Sequence, residues 1–218
     1  MDYELLQRYN FAKIIVLDHG FHHEINWQSK VSFEDLDEKT FLRELSWVVL
    51  SSGMKTAIIE KKFGSISKCF YQWKSALLIA KNCTHCFESA IRIFNNRAKM
   101  NAIIDAANKI SFQGFAKIKE LILNNPIEFL QEFKFIGPTT VYHLAKNIGL
   151  DFAKPDRHLR RIAAMHGYSD VQKFCRDIAI NIGDSVPVVD IVFWRFATIE
   201  SDYLNVLSSL NFNQHVSL

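Results

Sequence analysis

A chain of 218 residues with 26 basic and 23 acidic side chains carries a net charge of only +3, too mild for the totals alone to indicate a polyanion partner. Hydrophobic residues make up 49% and charged residues 22%, which excludes a disordered or fibrous chain and allows one large domain or two lobes sharing a core. No apolar run approaches membrane-spanning length, and the opening MDYELLQRYN holds acids where a signal peptide needs an apolar core. A soluble intracellular monomer without a membrane partner is therefore expected, cytoplasmic beside the nucleoid or nuclear according to the organism.

Along the chain the pattern is helical almost everywhere, because only four prolines and eight glycines interrupt it and period-2 alternation is scarce. Residues from about 11 to 35 are the least clear. KIIVL (13–17) reads as a short strand or a helix start. His22, His23 and Glu24 invite a metal, yet no second ligand pair is spaced to complete the site, so an exposed loop is expected there. EKTFLRELSWVVLSSGMKTAIIEKKFG (38–64) sets Phe41, Leu42, Leu45, Val48 and Val49 on one face. A break near Ser51-Ser52-Gly53 predicts two helices meeting at a tight corner.

CTHC (83–86) is a lone C-x-x-C without a second pair, and Cys69 and Cys175 complete no framework. Reduced, partly buried thiols are expected, with neither metal nor cofactor. ESAIRIFNNRAKMNAIIDAANKI (88–110) predicts two helices jointed at Asn95-Asn96, and Pro126 opens PIEFLQEF as a first-turn proline does. Further on, RHLRRIAAMHGY and VQKFCRDIAINIG predict helices that Gly167 and Gly183 end. PVVDIVFWRFATI (187–199) is apolar almost all round and reads as a central buried helix, in which Asp190 must find a hydrogen-bond partner. The fold class that follows is all-α.

The informative stretch is FKFIGPTTVYHLAKNIGLDFAKPDRHLRRIA (133–163). Its Gly-Pro turn between two helices predicts exposed backbone N–H groups at a helix start, a geometry suited to a phosphate oxygen. Ile136, Gly137 and Thr139 supply those amides, Pro138 has none, and Thr139 or Thr140 adds a hydroxyl. Residues 134–161 hold six basic side chains against Asp151 and Asp156, a local surplus larger than that of the whole chain. Asp156 follows a stiff Pro155 turn and stands where an N-cap of the next helix belongs, among Arg157, Arg160 and Arg161. An acid inside a basic run needs a structural partner or a chemical task.

Taken together, IGPTTVYHLAKNIGL, PDRHLRRIA, FLRELSWVVLSSGMKTAIIEKKF and NRAKMNAIIDAANKI, in this order over roughly residues 35–165, resemble the helix-hairpin-helix DNA glycosylases of the endonuclease III superfamily. The resemblance implies a two-lobed helical bundle with the active-site cleft between the lobes. One lobe would combine residues 1–35 and 160–218 and pack on the core, and the other would be 36–159, carrying the hairpin at about 126–149. It implies DNA as the partner, a duplex with a base flipped out, and base-excision repair as the activity. Asp156 would be the catalytic carboxylate, stabilising an oxocarbenium ion and orienting water. Ile136, Gly137, Thr139, Thr140, Arg157 and Arg160 would hold the DNA backbone. Trp47, Met54, Lys55 and Tyr142 would form the base pocket or the wedge that fills the vacated stack.

Two departures refine the expectation. Members that cut the strand carry a lysine two residues after the hairpin glycine, and Thr139 stands there, so a monofunctional enzyme leaving an abasic site is implied. Only Cys175 follows Asp156, so the iron–sulfur cluster of some members is not expected. The substrate reading is an alkylated purine, whose cationic base leaves with little acid help. The rival reading is a non-catalytic DNA-binding module that retains the hairpin alone.

Overall fold

The computed structural model describes residues 3–210, and over these the chain forms fourteen α-helices with no β-strand. It divides into two compact units. One is Ser32–Leu150, and the other joins the chain up to Val31 with the chain from Asp151 onward.

The Ser32–Leu150 unit contains α3 (Glu38–Ser51), α4 (Thr56–Cys69), α5 (Ala76–Lys81), α6 (Cys83–Ile93), α7 (Arg97–Gln113), α8 (Phe115–Asn124), α9 (Pro126–Gln131) and α10 (Thr140–Asn147). The starts of α3 and α7 are fixed by caps: Asp37 accepts the Thr40 N–H at 2.7 Å and Asn96 accepts the Lys99 N–H at 3.1 Å. Phe41, Leu42, Leu45, Val48 and Val49 of α3 are all buried, and α3 packs on α7, α4 and α10. Pro126 occupies the first turn of α9, where its missing N–H costs nothing.

Between α4 and α5 the backbone runs through Tyr71, Gln72 and Trp73 with φ of 53°, 54° and 62°, three left-handed residues in succession. The strain is held by the buried Trp73 indole, which stacks on Phe70 and Phe63 and donates to the Ser67 hydroxyl at 2.9 Å.

The other unit contains α1 (Tyr3–Asp18), α2 (His22–Lys30), α11 (Arg157–Met165), α12 (Val171–Ile182), α13 (Val186–Ile199) and α14 (Tyr203–Ser209). As its apolar pattern predicts, α13 is central: Val188, Val189, Val192, Phe193 and Phe196 are buried, and α1, α2, α11 and α12 pack around it. KIIVL lies within α1, whose Tyr9 is edge-on to Phe193 and donates its hydroxyl to Asp184 at 2.6 Å.

Residues 22–24 open α2 and are not the loop that their polarity suggests. Glu24 is taken by Arg195, which donates to it through Nε at 2.9 Å and through a second nitrogen, so this carboxylate serves the α2–α13 contact. Among the described residues no group of three or more histidine, cysteine or acidic side chains could hold a metal, and all four cysteines are free. No described helix is long and apolar enough to cross a membrane.

The boundary after the hairpin helix falls at 150/151, not at 159/160, and that before the first unit at 31/32, not 35/36. Side-chain clasps explain the former. Asp151 accepts the Val186 N–H at 3.1 Å, Gln172 bonds both the N–H and the carbonyl of Ala153, and Asp190 accepts the Lys154 N–H. The chain is therefore stitched to α12 and α13 before it reaches Asp156.

Candidate nucleic-acid interface

Within the Ser32–Leu150 unit, residues 132–139 form the turn between α9 and α10. Phe133 and Ile136 bury their side chains, and Val141 does the same from the first turn of α10. Two of the amides expected to face a phosphate are already engaged. Ile136 donates to the Phe133 carbonyl at 3.0 Å, and Gly137 donates to the Thr140 hydroxyl oxygen at 2.7 Å. Thr140 Oγ1 also lies 3.2 Å from the Phe135 carbonyl and 3.3 Å from that of Gly137, so this hydroxyl is an internal clasp. The Thr139 and Thr140 N–H groups precede the first hydrogen bond of α10, which Val141 makes to the Gly137 carbonyl at 2.9 Å.

The left-handed residue of the turn is Phe135, at φ 68°, whereas Gly137 has an ordinary backbone. A depression of about 550 Å³ runs along the turn, lined by residues 131–140 and by Ser52. Ser52 belongs to the corner between α3 and α4, so the structure brings that corner to the hairpin.

Lys99 makes the connection. Its buried ammonium donates to the Leu50 carbonyl at 2.7 Å and to the Ser52 carbonyl, closing the C-terminal end of α3, and it lies 5.5 Å from the Phe135 ring centre. Burial lowers its pKa to about 8. Met54 is half-buried and Lys55 exposed just beyond this corner, with Gly53 at φ 67°.

The base-pocket candidates divide. Trp47 is half-buried on α3 and packs edge-on to Phe63 of α4 at 5.1 Å, a core contact that leads through Phe63 to Trp73. Tyr142 is half-buried in the first turn of α10. Glu44, which the sequence did not single out, is a buried carboxylate on α3. It accepts from Asn147 of α10 at 2.9 Å and from Arg43, and its burial raises its pKa.

In the other unit, Asp156 is the N-cap of α11. Its Oδ1 accepts the His158 N–H at 2.9 Å and the Leu159 N–H at 3.0 Å, which orients the half-buried carboxylate. Arg157, Arg160 and Arg161 are exposed on α11, while Leu159, Ile162 and Ala163 face the core. His158 packs edge-on to Tyr203 of α14 with ring centres 5.3 Å apart, accepts from Arg157 Nε at 3.1 Å, and has its pKa lowered by burial. That imidazole therefore packs between α11 and α14.

The basic run counted along the sequence is divided between the two units and is not all free surface charge. Lys146 is buried in α10, Lys134 pairs with Asp105 at 2.7 Å, and the three arginines stand on the other unit. No protein-family model matches the chain, and no curated protein is significantly similar to it.

Proposed function

We propose that the protein is a monofunctional DNA glycosylase that excises a damaged or modified base, an alkylated purine in the first instance. The observation that carries this reading is Asp156: a carboxylate fixed by two backbone N–H bonds, on a helix whose exposed side presents Arg157, Arg160 and Arg161. A DNA-binding module would use such an acid only as the cap of α11, a task that an uncharged asparagine or serine performs without repelling phosphate. An enzyme that cleaves an N-glycosidic bond gains a group that stabilises the developing oxocarbenium ion and directs water to it. Such a term is worth about 3–4 kcal/mol.

In this reading DNA is gripped by the hairpin through the Thr139 and Thr140 amides, with Gly137 and Ile136 shaping the turn and Thr140 clasping it. The α3–α4 corner, with Met54 and Lys55, meets the stack near the flipped base, whose extrusion costs a few kcal/mol. The two-lobed cleft that the glycosylase resemblance implies belongs to the same proposal. Thr139 has no amine for an imine, and Lys99 is buried and committed to two carbonyls, which supports hydrolysis without strand cleavage.

The reading is tested with duplexes bearing single alkylated, oxidised or deaminated bases, followed by labelling of the product with an aldehyde-reactive hydroxylamine. An abasic aldehyde with at least one base is expected. Salt-sensitive binding without any aldehyde favours the non-catalytic helix-hairpin-helix module instead. In either case Arg160→Ala should lower the slope of log affinity against log salt by about one.

A further inference from the structure

Phe135 is the residue of the hairpin that neither packing nor backbone geometry explains. Its neighbours Phe133 and Ile136 anchor the turn and are buried, while Phe135 stays 39% exposed. Its φ of 68° is a conformation that glycine adopts without cost and that a phenylalanine adopts only under constraint. The constraint is visible: Thr140 Oγ1 holds the Phe135 carbonyl from one side, and the ammonium of Lys99, fixed by Leu50 and Ser52, lies over the ring. A large apolar ring is thus held rigidly on the rim of the depression, in a strained backbone, beside the Thr139 and Thr140 amides. Strain of this kind persists where a side chain is needed in place for a partner.

We propose that the Phe135 ring is a stacking platform for an unstacked nucleobase, adjoining the phosphate held by the Thr139 and Thr140 amides. The inference rests on the DNA-binding part of the function proposed above. Every base presents a π face, so the contact is tolerant of sequence and needs only an aromatic ring held still beside a backbone clamp. Lys99 over the ring contributes by fixing it in place. Lys55, exposed just beyond the Ser52 corner, adds a cation on that side.

The experiment uses oligonucleotides carrying the fluorescent base 2-aminopurine at successive positions, as single strands and within unpaired loops of duplexes, with the full chain and its Phe135→Gly, Phe135→Leu and Phe135→Tyr variants. Wild type and Phe135→Tyr should quench the probe at one or two positions. Phe135→Gly and Phe135→Leu should lose that quenching and bind about 5- to 100-fold more weakly. Phe135→Gly should melt at or above the wild-type temperature, because glycine relieves the strained φ, which separates binding from folding. Equal affinity and no quenching change in Phe135→Gly, with wild type still bound in a salt-sensitive manner, would overturn the stacking inference alone. Absence of any salt-sensitive DNA binding by the wild type would overturn the DNA reading, and this inference with it.

Discussion

The buried carboxylate of Asp190, 2% exposed in the middle of the apolar helix α13, accepts the backbone N–H of Lys154, two residues before Asp156. A charged group in that position is costly unless it is hydrogen-bonded, and its location identifies what it stabilises: the approach to the α11 cap. Asp190→Ala removes the acceptor and strands a buried N–H, so a loss of about 1–3 kcal/mol in urea unfolding is expected. Asp190→Asn retains an acceptor of the same shape and should lose less. Equal losses in the two variants would mean that the charge, and not the bond to Lys154, matters.

Three glycines separate backbone strain from steric fit. At Gly149, φ is +88° and an added Cβ would lie 2.3 Å from the Phe33 nitrogen and 2.4 Å from the Ser32 carbonyl carbon. Gly149→Ala should therefore cost about 3–5 kcal/mol from left-handed strain and overpacking combined. Gly167, at φ +78° with open space around it, should cost about 1–2 kcal/mol from strain alone. Gly64 sits in α4 with ordinary φ and open space, and Gly64→Ala should stabilise by about 0.5–1 kcal/mol. Thermal melts of the three variants check that ranking.

Lys99 ties stability to alkaline pH. Its folded-state pKa of about 8 lies below the ordinary 10.5, so the charged form is disfavoured in the folded chain. Between about pH 8 and 10.5 the unfolded chain holds more protons, and stability from this group rises with pH across that window. Below pH 8 the penalty is present in full. The stability of wild type minus that of Lys99→Met should climb by about 1–3 kcal/mol between pH 8 and 10.5. A difference that stays flat or falls would place the lysine in a wetter, less constrained setting.

The helical character, the corner after Ser51, the joint at Asn95-Asn96 and the central place of α13 were legible because each rests on local spacing, capping or breaker residues. The hairpin was legible from Gly137-Pro138, but its working parts were not. No local signal reveals that Thr140 occupies the Gly137 N–H or that the left-handed residue is Phe135. Lys99 and Glu44 were invisible for a different reason. Their burial comes from partners 49 and 103 residues away, and a lysine or glutamate on a helix reads as a solvated face until the fold closes over it. The local charge surplus overstated the free surface charge because Lys146 is buried in α10 and Lys134 is paired with Asp105. His22-His23-Glu24 read as an exposed loop because the three are polar, whereas they open α2, where Arg195, 171 residues from Glu24, holds that carboxylate.

The most direct test of the proposed chemistry compares wild type with Asp156→Asn on damaged-base duplexes, each reaction analysed with and without hot alkali. Asparagine caps a helix about as well as aspartate, so the variant should fold and bind DNA as before. The account predicts strand breaks that appear only after alkali with wild type, and a rate about 100- to 1000-fold lower with Asp156→Asn. Breaks without alkali, or an Asp156→Asn protein as fast as wild type, would contradict it.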